Sequence, residues 1–353
     1  MPRPHARLSA HSLFCLLTVV RAAGAFRLVS PWGRRYPHST RPIATATPTF
    51  VSASKAGDFT IQIPDVSLPD EPLRHVRVLD TGLPSSNPGT ASVPPPLVLI
   101  GGTAQTIASW VGHIHGLSRK RRLIVYETRG QGRTTDLDLS DASLAVHVED
   151  FCRVHAALKI EGPVDLCGFS FGGRVSLGVA ALHPGLVRRL VLTGVPAERD
   201  AVGRLIIKSW RAALDRGMLQ EFVWNSMLHC HGAAFLSKYE SKIPEWVAFV
   251  ESANTVAGLR AMVARSHTSD VEDPYHTLQL APRVEAPTLL LGALDDKVAT
   301  ALEIKRLAEA GRRGWPVHFF PGAGHNCVFE AAVLWREEVL AFLDAEEGKG
   351  GRV

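Results

Sequence analysis

Acidic residues are absent from the first 57 positions of this 353-residue chain, which carry eight Lys and Arg before the first acid, Asp58. The whole chain has 39 basic and 34 acidic residues, which leaves 31 against 34 after that segment, a net charge of −3. The basic balance therefore belongs to the N-terminal segment, and the rest shows no phosphate-binding signature; a nucleic-acid partner is excluded. Cysteine is scarce: the five, at positions 15, 152, 167, 230 and 327, share no C-x-x-C spacing. That excludes a disulfide framework. Cys167, in an apolar run, and Cys152, on an apolar helix face, read as small core residues. No apolar run approaches the roughly 20 residues needed to cross a bilayer as a helix, so no membrane span is expected. The hydrophobic fraction of 46% is that of a soluble globular protein.

The acid-free segment reads as an address. Arg3 and Arg7 precede an apolar stretch, Leu13 to Val20, and small residues ending Ala23-Gly24-Ala25 before Phe26. A charged start, a short apolar core and an A-x-A site form a secretory signal. The tract from Phe26 to about Lys55 is rich in Arg, Ser, Thr and Pro, as transit peptides are. The two together resemble the bipartite presequence of algae with complex plastids, so plastid delivery is expected, with plain secretion as the alternative.

Beyond residue 57, Phe59 to Ile63 and His75 to Leu79 read as a strand pair. Continuous apolar runs at Leu97–Ile100, Leu123–Tyr126, Val164–Cys167, Leu190–Leu192, Thr288–Leu291 and Val317–Phe320 read as buried strands. Helical spacing of apolar residues separates them, as at Ile107 to Leu117, Leu144 to Leu158, Thr300 to Ala310 and Ala332 to Leu343. Alternating strands and helices predict an α/β fold with a mostly parallel sheet covered on both faces. Between about Ala197 and Pro282 the alternation stops. That stretch reads as an inserted helical lid whose Trp210, Trp224 and Trp246 are expected in its own core. The expected organisation is a presequence at 1–57, a core at 58–196 and 283–347, a lid at 197–282 and a flexible tail at 348–353.

Gly168-Phe169-Ser170-Phe171-Gly172-Gly173 lies between an apolar strand and an apolar-periodic helix. Glycines on both sides of a serine permit the strained strand-to-helix turn that exposes a nucleophile beside backbone N–H groups. Serine needs a base, and the base an orienting acid. Gly292-Ala293-Leu294-Asp295-Asp296 follows one strand and Pro321-Gly322-Ala323-Gly324-His325 the next, so both reach the ligand-binding edge of a parallel sheet. His229-Cys230-His231 looks like a metal cluster, but residues two apart do not share a helix face; no metal or cofactor is expected. Asp295 and Asp296 could each instead cap the following helix.

In the order Ser170, Asp295, His325, these elements resemble the α/β-hydrolase superfamily, together with Gly101-Gly102-Thr103 and the Arg129-Gly130-Gln131-Gly132 turn. The resemblance covers about residues 58–345 and implies an eight-stranded, mostly parallel sheet. The family's G-x-x-D spacing favours Asp295 over Asp296 as the acid. It implies an oxyanion hole from the backbone N–H groups of Phe171 and Thr103, with Gly102 in the same substrate-side loop; family members carry His-Gly where this chain has Gly101-Gly102. Arg129 matches a turn that is structural. The implied activity is hydrolysis of a carboxylic ester or related acyl bond of a small molecule. Two alternatives remain. The Gly172-Gly173-Arg174 and Gly324-His325 segments are similar to a pyruvate-eliminating lyase of phylloquinone and menaquinone synthesis, in which Arg174 would bind a substrate carboxylate. A non-turnover small-molecule receptor on the same fold is the other.

Overall fold

The computed structural model describes residues 19–22, 25–28, 56–65, 67–68, 72–83, 93–134, 139, 141–265, 272–312 and 314–345. Most of the expected presequence and the tail at 348–353 lie outside the described residues. Within the former, β1 (Val19–Ala22) and β2 (Ala25–Leu28) pair antiparallel as a two-stranded sheet of their own.

The main sheet has eight strands. They are β3 (Gly57–Pro64), β4 (Leu73–Asp80), β5 (Leu97–Ile100), β6 (Leu123–Tyr126), β7 (Val164–Phe169), β8 (Val187–Thr193), β9 (Thr288–Ala293) and β10 (Val317–Phe320). Their order across the sheet is β10-β9-β8-β7-β5-β6-β4-β3. β3 and β4 form an antiparallel pair and β4 is antiparallel to β6, while all other neighbours are parallel. The hairpin-like start and each buried strand expected from the apolar runs are present.

The helices are α1 (Val111–Leu117), α2 (Leu144–Ala157), α3 (Phe171–Leu182), α4 (Ala201–Asp215), α5 (Leu219–Cys230), α6 (Ala233–Tyr239), α7 (Ile243–Ala253), α8 (Val256–Arg265), α9 (Thr277–Leu280), α10 (Ala301–Ala310), α11 (Cys327–Glu330) and α12 (Ala332–Asp344). The six from α4 to α9 lie between β8 and β9, where the alternation of the sequence stops. Among the described residues, no helix is long and apolar enough to cross a membrane.

Strand side chains alternate between two cores, as the pleat requires. Leu97 and Leu99 of β5 join Trp110, Trp335 and Val339 on one face. Val98 and Ile100 join Phe151, Val175 and Val179 of α2 and α3 on the other. Burying a side chain of this size contributes about 1.5–3 kcal/mol, so each face holds its helices firmly. The turn after β6 is fixed by charge. Arg129, fully buried, donates to Asp65 at 2.8 Å and to Asp150 at 3.1 Å, and Arg74 also reaches Asp150 at 2.6 Å. The guanidinium so occupied is a structural clamp.

β5 is the point where the chain reverses its progress across the sheet: β6 lies on one side of it and β7 on the other. In such sheets the crevice beyond the carboxyl ends of those strands is where ligands bind. The loop after β5 and the turn after β7 both open there.

Candidate active site

Ser170 joins β7 to α3 with φ 51° and ψ −115°, a left-handed conformation that a residue with a Cβ adopts only when its surroundings force it. The forcing contacts are backbone ones. A Cβ on Gly168 would lie 2.5 Å from the Gly172 carbonyl oxygen, and one on Gly172 would overlap the carbonyl oxygens of Ile100 and Gly101. Strand and helix meet too closely for any other residue at these two positions. The Ser170 N–H donates to the Thr193 carbonyl at 2.8 Å, tying the turn to β8.

His325 comes from the loop after β10 and is 3% exposed. Its Nε2 lies 2.9 Å from Ser170 Oγ, and its Nδ1 lies 2.7 Å from Asp296 Oδ2. The ring also packs on Phe169 with centroids 5.1 Å apart. The other Asp296 oxygen, Oδ1, accepts the N–H groups of Val298 at 2.7 Å and Ala299 at 2.8 Å. Acceptor contacts of this kind fix the direction of the carboxylate.

The acid facing the histidine is thus Asp296, and the expected Asp295 is corrected. The Leu294 and Asp295 N–H groups donate to the carbonyls of Phe320 and Ala323, both at 3.1 Å. Those bonds turn the backbone so that the Asp295 side chain is exposed and the Asp296 side chain, 5% exposed, points inward. Neither acid caps the following helix, whose N-cap is Thr300; Asp296 instead braces the turn at Val298 and Ala299 while facing His325.

A cavity of about 130 Å³ opens above Ser170 and His325. Phe171 and Thr103, the expected oxyanion-hole residues, both line it. Two other expectations are corrected. Gly102 is not among the lining residues; it packs on Phe169 and Ser170, where a Cβ would come within 2.9 Å of the Phe169 ring, and its N–H donates to Gln105 Oε1 at 2.9 Å. Arg174 does not line the cavity either. One helical turn beyond Ser170, it borders a separate small pocket with Arg199, His276 and Thr277. Burial lowers its pKa to about 10, against the opposing effect of Asp273.

The roof of the cavity comes from the helices between β8 and β9. Trp210 of α4, Phe222 and Met227 of α5 and Trp246 of α7 line it. Two of the three tryptophans expected in an isolated lid core therefore face the cavity, while Trp224 is 38% exposed. The roof is bonded to the histidine loop. The Asn326 N–H donates to the Cys230 carbonyl at 2.7 Å, Asn326 Nδ2 lies 3.1 Å from His231 Nε2, and Glu330 accepts from Gly232 at 3.0 Å and Gly324 at 3.2 Å. Burial raises the Glu330 pKa, opposed by those two N–H bonds. His231, kept neutral by burial that lowers its pKa to about 4, acts here as a hydrogen-bonding residue.

Residues 97–337 match the model of the alpha/beta hydrolase family, and the chain belongs to that family. A putative carbamate hydrolase of Agrobacterium fabrum is 24% identical over 223 residues, 61% of this chain and 80% of that protein. An (E)-2-((N-methylformamido)methylene)succinate hydrolase of Acinetobacter baylyi is 27% identical over 226 residues, covering 62% and 79%. Among solved structures, a thermophilic esterase from Thermogutta terrifontis superposes with a TM-score of 0.67 at 19% identity, over 81% of this chain and 98% of that one. The enol-lactonase from Burkholderia xenovorans gives 0.64 at 18% identity, over 77% and 97%. The protein is an enzyme of the α/β-hydrolase fold, and the two relatives from Agrobacterium and Acinetobacter carry the names of hydrolases.

Proposed function

We propose that this enzyme is a serine hydrolase that cleaves an ester or related acyl bond of a small molecule. The observation that carries the reading is the continuous chain of contacts from Ser170 Oγ to His325 Nε2 at 2.9 Å and from His325 Nδ1 to Asp296 at 2.7 Å. The Asp296 carboxylate fixes the tautomer in which Nδ1 carries the proton, so Nε2 is free to take the Ser170 proton. The alkoxide attacks the acyl carbon, and the backbone N–H groups of Phe171 and Thr103 receive the charge that develops on the carbonyl oxygen. Protonated His325 then gives its proton to the leaving group, and water, activated by the same ring, releases the acid.

The cavity supports a small substrate: about 130 Å³ is near the ~150 Å³ that accommodates a benzene ring. The relatives' names, which include carbamate, succinate-derivative and enol-lactone hydrolases, point to the same size range. Purified enzyme assayed on p-nitrophenyl esters of increasing acyl length tests the reading. Sustained turnover of short esters that disappears in Ser170→Ala is expected, and turnover that survives the substitution refutes it. We also propose that residues 1–57 deliver the chain to a plastid, on the strength of their charge pattern alone.

A further inference from the structure

The loop after β5 carries Thr103, an oxyanion donor of the proposed mechanism, and its backbone is strained. Its turn runs from Gly102 to Gln105 and is closed by the Gln105 N–H on the Gly102 carbonyl at 3.1 Å. Ala104, third in that turn, has φ 65°. A type II turn needs such a left-handed value, which glycine adopts freely and a residue with a Cβ only at a cost. Contacts outside the turn have to favour alanine there.

The roof supplies one. Asn254 lies between α7 and α8 and is 8% exposed. Its Nδ2 donates to the Ala104 carbonyl at 3.3 Å and to the Val250 carbonyl at 3.0 Å, which uses both of its N–H groups. Its Oδ1 accepts the Gly132 N–H at 3.4 Å. This corner is well anchored. A Cβ on Gly258 of α8 would overlap the Gly130 carbonyl oxygen, so the helix meets the turn after β6 backbone to backbone. That turn is the one clamped by Arg129. The Val250 bond alone would make Asn254 an ordinary helix end, where the last carbonyls need donors. The bond to Ala104, 150 positions earlier, serves no helix. Asn254 does not line the cavity, so it reaches the chemistry only through Ala104.

We propose that Asn254 is a positioning residue for the oxyanion hole. It keeps Ala104 left-handed, and so keeps the Thr103 N–H where the carbonyl oxygen of the substrate takes up charge. This inference rests on the serine-hydrolase reading of the same cavity. Without Asn254, Ala104 relaxes toward negative φ and the turn that carries Thr103 changes shape. An oxyanion contact matters most in the transition state, so the loss falls on kcat rather than KM.

The test is a double-variant cycle with Ala104→Gly, read on p-nitrophenyl acetate. Left-handed backbone costs alanine about 5- to 30-fold in population, so Asn254→Ala should lower kcat by about that factor, with KM within about twofold. In an Ala104→Gly chain the same substitution should lower kcat by less than about threefold, because glycine holds the turn unaided. A residue that only ended α7 would cost the same in both backgrounds. Asn254→Asp, which keeps the shape and an acceptor for Gly132 but removes both donors, should behave as Asn254→Ala does. Equal losses in the two backgrounds, unchanged kcat, or a loss confined to KM overturns the proposal. Melting curves establish folding; failure of both Asn254 variants to fold also overturns it, by making Asn254 a residue of the fold. Failure of the serine-hydrolase reading is seen separately, as release of nitrophenolate that survives Ser170→Ala.

Discussion

Replacing Asp296 by Asn changes one atom and should cost nearly all activity. In the native site Asp296 Oδ1 accepts two backbone N–H groups, from Val298 and Ala299, while Oδ2 faces His325 Nδ1. An Asn side chain has one oxygen, and the two fixed backbone donors will claim it. Its NH₂ group is then aimed at His325 Nδ1, which can receive that bond only by giving up its proton. The proton moves to Nε2, where the ring donates to Ser170 Oγ and cannot accept from it. A wrong tautomer in an otherwise intact triad costs about 10⁴ in kcat in a well-studied serine protease, or about 5.4 kcal/mol of activation free energy. Because each hydrogen bond keeps a partner, the fold should lose little; a melting curve within a few degrees of wild type is expected. Asp295→Asn, at an exposed position, should change kcat/KM on a p-nitrophenyl ester by less than about twofold. If Asp296→Asn keeps more than a tenth of wild-type kcat, or if Asp295→Asn is the more damaging, the tautomer argument fails.

Ser170→Ala and His325→Ala should each lower kcat by about 10⁴ to 10⁶ without unfolding the protein, and the double variant should be hardly worse than either, because the groups act as a unit; additive losses would separate their roles. Gly172→Ala places a Cβ against the carbonyls of Ile100 and Gly101, and a loss of about 2–4 kcal/mol in a urea titration is expected, with inactivity even where it folds; wild-type stability would show that the elbow is not close-packed. Burial lowers the pKa of His113, His147 and His231 from 6.5 to about 4 each. Below pH 6.5 the unfolded chain takes up protons that the folded one refuses, so stability is complete above that pH and falls as pH drops toward 4. At pH 5 the loss should be about 1–2 kcal/mol per histidine; a urea midpoint unchanged between pH 7 and pH 5 would contradict their neutral burial. Residues 1–57 fused to a fluorescent protein in an alga with a complex plastid should light the plastid; export to the medium would leave only the signal peptide, and diffuse cytosolic fluorescence neither.

The strands, the elbow and the histidine were legible in the sequence because each is a local pattern. An apolar run of four to six residues has one buried use beside helical stripes, and glycines flanking a serine have few purposes other than a forced turn. The orienting acid was not legible. Adjacent carboxylates differ only in which way the backbone turns, and that direction is set by the Leu294 and Asp295 N–H groups bonding to residues of β10 and the loop beyond it. A family spacing counts residues along one chain segment; it does not count those cross-strand bonds. The same limit hid the cavity roof. Trp210 and Trp246 sit on helices whose apolar faces look alike in sequence whether they cover each other or cover a ligand.

Arg199 was hidden for a different reason, and its case bears on how such sites are read. It sits in the segment Val195-Pro196-Ala197-Glu198-Arg199, which has no motif and lies directly after a strand of the parallel sheet. The available signal was position: a residue leaving the carboxyl end of a central strand arrives at the edge where ligands bind, whatever its type. Arg174 drew the expectation instead because it follows the nucleophile at a motif spacing, yet one turn of α3 carries its side chain to the smaller pocket. Two arginines, 25 positions apart in sequence, border that pocket together, and only the one without a motif also reaches the chamber that holds Ser170 and His325. Position at the carboxyl edge of the sheet therefore marks which arginine borders that chamber, and spacing from the nucleophile does not.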